Sequence, residues 1–246
     1  MSPTTYTIRE IVSTQASAAA VLQRFDIDLC AHAGNSLEQA CGELQLSVDQ
    51  VLEKLADAAA REQGAPSMDV SHYSMTRLIQ HIVRTHHQTV RRELPQLAVM
   101  AEKLALKHGG RMPELRSIRL LVEALRGEML AHLEKEEQVL FPFITQMEGG
   151  LHGGTEARAC FQTVAHPIAM MVREHEGAES VLAEIARITD NFKLPEQVCM
   201  THIALYTGLA MFQADLKEHV HLENDLLFPR AIEAESKLPA RRPVCQ

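Results

Sequence analysis

The sequence predicts an all-α protein, an antiparallel four-helix bundle preceded by a small helical domain, and three observations lead there. Turn-makers are few, with 12 Gly and 10 Pro in 246 residues. Aromatic residues reach only 4% and Trp is absent, so Ala, Leu, Glu and Met dominate, a composition that favours helix over sheet. In the later part of the chain apolar residues recur at intervals of three and four over four long stretches, the spacing of a buried helix face.

The first elements are short. Residues 7–61 carry three helical patterns: Ile8 to Phe25, Ser36 to Leu44, and Ser47 to Ala60, the last opening on Ser47-Val48-Asp49-Gln50 in capping-box form. Glu62-Gln63-Gly64-Ala65-Pro66-Ser67 reads as a linker. The expected organisation is a helical domain over 1–62, a linker over 63–69 and the bundle over 70–246. The first long helix runs from about Ser71 to His108 and stops at Gly109-Gly110. The second opens at Met112-Pro113-Glu114, with Pro at the first helical position and an acid beside the positive helix end. It buries Leu115, Ile118, Val122, Leu125, Met129, Leu133, Leu140 and Phe143. The third begins at Pro167 and continues through Ile168, Met171, Val172, Leu182 and Ile185; the fourth starts near Pro195 and continues through Val198, Leu205, Leu209, Phe212, Leu216 and Leu226. Short connections between four such helices imply an antiparallel bundle.

A net charge of −8, with no Lys/Arg run longer than two, argues against a nucleic-acid-binding surface. No apolar run approaches the roughly 18 residues of a membrane span, and the first ten residues lack the basic and apolar blocks of a secretory signal. Cys30, Cys41, Cys160, Cys199 and Cys245 are scattered, without CxxC pairs, which suits reduced thiols in a cytoplasmic protein better than a disulfide framework.

The 13 histidines carry the functional signal. His132-Leu-Glu-Lys-Glu136 is followed by Phe141-Pro142, and His219-Val-His-Leu-Glu223 by Phe228-Pro229, at the same offsets and 87 residues apart. The pattern is HxxxE with a Phe-Pro stop, used twice. His87 and His175, 88 apart, extend the repeat. Residues i and i+4 share a helix face, so each His/Glu pair points one way. That way is inward: His132 and Glu136 fall on the stripe of Met129, Leu133 and Leu140, and the other four lie on the apolar stripes of their own helices. Residues equidistant from a hairpin turn lie side by side. The midpoint of His87 and His132 falls at Gly109-Gly110, and that of His175 and His219 close to Pro195, so all six groups meet at one height.

Carboxylates converging in an apolar core require pairing or a metal. Four His and two Glu suit two ions, each with two imidazoles and with both carboxylates available to bridge. Zinc favours closed sets of three or four ligands, so octahedral iron with open positions fits better, and manganese shares that preference. His86 lies about 100° around the helix from His87 and His221 roughly opposite His219, which makes both solvent-facing or supporting residues. His202 is on the inner stripe but about 25 Å from His219 along the helix, too far for the same centre. His81, His108, His152 and His166 join no constellation, and the methionines read as core filler.

The doubled H-x3-E-x4-FP, with Glu174-His175 and the His86-His87 pair in THHQTVRREL, resembles the hemerythrin-like domain of the repair-of-iron-centres family, the ScdA/YtfE-type di-iron proteins. The first 62 residues resemble the ScdA-type domain that precedes it. Carried over residue by residue, the family's ligands fall on His87, His132, Glu136, His175, His219 and Glu223. The resemblance implies a cytoplasmic non-haem centre of two iron ions, oxo- and carboxylate-bridged, acting in the nitric oxide and oxidative stress response. It leaves three roles open: donation of iron to damaged iron-sulfur proteins, binding and reduction of nitric oxide as an oxidoreductase, or sensing and reversible carriage of NO or O2 without turnover. It implies neither nucleic acid nor membrane as partner and leaves the oligomeric state open. One departure stands out. Where the family usually has adjacent cysteines after Ile-Asp, this chain has Ile27-Asp28-Leu29-Cys30-Ala31-His32, so Cys30 and His32 are the residues left there for a redox or ligand site.

Overall fold

The computed structural model describes residues 6–15, 17–29, 31–62, 70–151, 163–195 and 198–238. Among them the fold is all-α, with one isolated bridge between Thr7 and Ser36. The expected linker, together with Cys30, His152, Cys160 and Cys245, lies outside the described residues.

The first helices are α1 (Ile8–Thr14), α2 (Ala18–Arg24), α3 (Leu37–Glu43) and α4 (Val48–Glu62). Thr7 and Glu10 form a reciprocal capping box on α1, and Ser36 and Gln39 do the same on α3. At α4 the Gln50 N–H donates to Ser47 Oγ at 3.4 Å. The single helix expected over Ile8 to Phe25 is two. Thr14 Oγ1 bonds back to the carbonyls of Glu10 and Ile11, Gln15 turns extended (φ −132°, ψ 108°), and its side-chain amide donates to Leu55 O at 2.8 Å. A tertiary partner on α4 thus breaks a stretch whose apolar periodicity runs on.

The long stretches are α5 (Met75–Ile82) and α6 (Gln88–His108); α7 (Glu114–Lys135) and α8 (Phe141–Leu151); α9 (Ala165–Ile188); and α10 (Met200–His221) and α11 (Phe228–Ser236). The breaks within them are π-helical turns, at Val83–His87, Glu136–Leu140 and Leu222–Leu227, and the backbone stays helical through each. The Phe-Pro pairs therefore do not stop their helices, contrary to expectation. Pro142 and Pro229 have no N–H to give the carbonyl four residues back, and their rings crowd that carbonyl. Those carbonyls, of Gln138 and Asp225, lie inside the π turns, whose wider winding makes room.

The last long helix begins at Met200, later than the expected Pro195: Asp190, Asn191 and Phe192 adopt left-handed conformations (φ 50°, 55° and 60°) that close α9, and the described chain beyond them has no helix before Met200. Gly109 ends α6 as predicted: a Cβ there would sit 2.3 Å from Ala105 O, so only glycine fits.

The chain divides into two compact units, Met1–Met68 with Pro95–Val122 and Ile185–Met211, and Asp69–Leu94 with Glu123–Glu184 and Phe212–Gln246. The second holds the six residues singled out above. Its core is Leu78, Ile82, Phe141, Ile144, Met147, Met171, Leu227 and Phe228 with their neighbours. Glu148, in α8, accepts from the N–H groups of Met75 and Thr76 and from Thr76 Oγ1 at 2.8, 2.9 and 2.6 Å. Glu235, in α11, accepts from Val164 N–H and Thr163 Oγ1 at 2.9 and 2.6 Å. In each case an acid from the end of one helix caps the start of another, which fixes the antiparallel sense. These caps belong to the repeat: Thr76 and Thr163, like Glu148 and Glu235, are 87 residues apart.

Candidate metal centre

Each of the six residues is placed by a regular helix or a π turn. His132 and His219 sit in the last turns of α7 and α10; His87, Glu136 and Glu223 belong to the π turns; His175 is mid-α9. A π turn adds a residue to the winding and rotates the side chains beyond it; Glu136 and Glu223 stand at the start of their turns, and His87 closes its own. All six side chains are buried.

They meet in two sets. His87, Glu136, His219 and Glu223 each offer one ligand atom, all within 4.8 Å of one another, and so do His132, Glu136, His175 and Glu223. Both glutamates belong to both sets. His87 Nε2 is 3.4 Å from Glu136 Oε2 and 3.6 Å from Glu223 Oε1. His132 Nε2 is 3.3 Å from Glu136 Oε2, His175 Nε2 is 3.1 Å from Glu223 Oε2, and His219 Nε2 is 3.0 Å from Glu223 Oε1. His132 and His175 bring their Nε2 atoms within 2.9 Å, close for two groups that each present a lone pair to a metal.

Despite these approaches, His87 Nε2, both oxygens of Glu136 and Glu223 Oε2 are buried with no hydrogen-bond partner among the described residues. Buried polar atoms in native proteins are ordinarily satisfied. Here the unsatisfied ones belong to metal-ligating residue types and converge, so the donor set fits two ions, each with two imidazoles and a share of two carboxylates.

The charges are mutually supporting. Burial works against a proton on His87, but the facing carboxylates of Glu136 and Glu223 outweigh it and push its pKa up to about 10. Burial likewise opposes charge on His132, and Glu136, Glu223 and Glu174 raise it to about 9. Burial would raise Glu223, yet His219, His175 and His87 around it hold it well below the usual carboxylate range. A metal ion bound there takes the place of those protons.

Residues 78–231 match the hemerythrin HHE cation-binding domain, and residues 4–59 match ScdA_N, a domain of unknown function (DUF542). The chain is 34% identical over 218 residues, 89% of its own length and 92% of theirs, to the iron-sulfur cluster repair protein YtfE of Yersinia pseudotuberculosis (strain YPIII) and to that of Yersinia pestis (strain Pestoides F). The chain belongs to this YtfE-type repair family.

Periodicity did not find the outer partners of this family member's histidines. His87 Nδ1 faces Glu137 Oε1 at 2.6 Å, and Arg91 donates to the same oxygen at 2.7 Å. His132 Nδ1 faces Glu174 Oε2 at 2.9 Å, and Lys135 pairs with Glu174. His175 Nδ1 faces Asn224 Oδ1 at 3.1 Å. Acceptors on Nδ1 fix the tautomer that leaves the Nε2 lone pair free for the centre. The available signal was adjacency: Glu137 and Asn224 follow the two site glutamates, and Glu174 precedes His175.

His86 is buried, not solvent-facing. Its Nδ1 lies 3.0 Å from Asp215 Oδ1, and its ring stacks on His219 with centroids 5.7 Å and planes 8° apart. His221 is exposed and pairs with Asp225, in line with its place opposite His219. His202 is buried beside Tyr206, with ring centroids 4.4 Å apart, and takes no part in either set. His32 directs Nδ1 to Asp28 O at 3.0 Å and Nε2 to Glu43 Oε2 at 3.4 Å. No described helix is long and apolar enough to cross a membrane.

Proposed function

We propose that this chain is a non-haem iron protein that supplies iron to damaged iron-sulfur proteins, and that His87, His132, Glu136, His175, His219 and Glu223 hold two iron ions. The observation that carries the reading is the convergence of six buried ligand-type side chains, among which His87 Nε2, both Glu136 oxygens and Glu223 Oε2 lack hydrogen-bond partners among the described residues. The similarity to YtfE iron-sulfur cluster repair proteins gives that site its biological direction. We further propose a domain division at residues 63–69, supported by family matches that fall on either side of it.

An iron pair held by these residues would supply redox chemistry and a binding place for a small ligand such as nitric oxide or dioxygen. The protein's part is different. Glu136 and Glu223 each reach both histidine pairs and hold the two positions together. Glu137, Glu174 and Asn224 orient three of the imidazoles. Phe141 stacks on His87 and Phe228 on His175, walling the centre with apolar surface.

Metal analysis of protein purified without chelator tests the site: two irons per chain are expected, and Glu223→Leu should bind fewer. Wild type well below two, with Glu223→Leu unchanged, overturns the assignment. Donation is tested by mixing loaded protein with a cluster-depleted iron-sulfur enzyme, whose activity should return faster than with equal free ferrous iron. Nitrous oxide formation under anaerobic reduction would identify a nitric oxide reductase; stoichiometric NO uptake without product would identify a carrier.

A further inference from the structure

The repeat makes the two halves of the centre equivalent, but the groups behind their histidines differ. His87 and His175 correspond, backed by Glu137 and Asn224, which occupy matching places after Glu136 and Glu223. His132 and His219 correspond as well. His132 is backed by Glu174, the residue before His175. The matching residue before His87 is His86, which stacks on His219 and spends its Nδ1 on Asp215. His219 Nδ1 is left buried without a hydrogen-bond partner among the described residues.

Because each ion position draws one histidine from each half, the asymmetry separates the two positions. The His132/His175 set has a carboxylate and an amide behind its imidazoles. The His87/His219 set has a carboxylate behind one and, among the described residues, no acceptor behind the other. An acceptor on the outer nitrogen fixes the tautomer and strengthens the ligand, and losing one typically costs about 10–100-fold in metal affinity. A second observation points to the same set. A pocket of about 480 Å³, lined by Ile79, Val83, Glu137, Phe141, Pro142 and Thr145 among others, shares Glu137 and Phe141 with the surroundings of His87, which bonds the one and stacks on the other.

We infer that the ion held by His87 and His219 is released first and is the cargo of the repair function, while the ion at His132 and His175 is retained. His86 is the positioning residue that makes the difference. The inference rests on the reading that the six residues hold two irons.

The test uses the full chain loaded anaerobically with ferrous iron and exposed to excess ferrozine. Release should occur in two phases of equal amplitude with rates about tenfold apart, the size of one lost outer partner. Protein stopped after the first phase and crystallised should keep iron anomalous scattering at His132/His175. H86Q puts an amide at the repeat position that Glu174 holds in the other half; with its oxygen accepting from His219 Nδ1, the fast phase should slow toward the slow one. E174Q should instead accelerate the slow phase. Iron retained at His87/His219, or half-occupancy at both positions, overturns the inference while leaving the two-iron reading intact. Protein that never reaches two irons overturns that reading and this inference with it. If H86Q fails to fold, the anomalous occupancy of the unaltered protein decides alone.

Discussion

Removing the metal should make this protein most stable at mildly acidic pH and weaken it as the pH rises, and the charges at the centre set the size of the effect. In the metal-free protein His87 and His132 titrate near 10 and 9, against an ordinary value of 6.5. A histidine whose folded pKa is raised contributes stability that is fully present below about pH 6.5 and is lost as the pH climbs through the folded value. At about 1.4 kcal/mol per unit, and because both histidines draw on the same two carboxylates, the loss amounts to roughly 3–5 kcal/mol between about pH 6.5 and 10. Below that window Glu223 works the other way: its depressed pKa contributes stability above pH 4.5 that is lost on further acidification. The assay is urea unfolding of chelator-treated protein at about pH 6, 8 and 10, with the loaded protein alongside. The metal-free midpoint should fall steadily over the series. The loaded protein should hold its midpoint at about pH 8 relative to pH 6, since its ligands bind deprotonated. A metal-free midpoint that is flat or rises across the series would refute the picture of protons held between the carboxylates.

Two further outcomes are expected. Glu148→Ala and Glu235→Ala each remove the acceptor for a helix start, and each should cost about 1–2 kcal/mol in urea unfolding, alike because the repeat builds the same cap twice. His202 is buried with an unpartnered Nε2 among the described residues, and burial holds its pKa down. A His with a lowered folded pKa destabilises the fold as the pH drops below about 6.5. His202→Leu should therefore melt at the same or a higher temperature at about pH 7 and lose less on going to about pH 5.5; a large loss at neutral pH would mean that the imidazole has a role in the core.

How far the sequence could be read depended on whether a residue's place follows from its own helix. His132 with Glu136 and His219 with Glu223 were legible because four residues of helix put two side chains on one face, and His87 and His175 because the period brought them in. The kink at Gln15 was not legible, since its cause is a carbonyl 40 residues away in sequence. The late start of α10 was not legible either, because Pro195 carries a start signal that the described residues before Met200 do not follow. His86 was only half legible: leaving the apolar stripe made it solvent-facing or supporting, and the facing helix decides for the second by supplying Asp215 and the ring of His219.

Helical periodicity and an internal repeat are local regularities written along one chain, and they were enough to establish the all-α class, the doubled motif and the six inward-facing ligand-type residues. The pairing of histidines at each position, the ride of Phe-Pro on a π turn instead of a helix end, and the outer groups that hold each imidazole came only with the folded arrangement. Those depend on the rotation and level of one helix against another, where a residue's partner is set by the facing surface and not by its own neighbours.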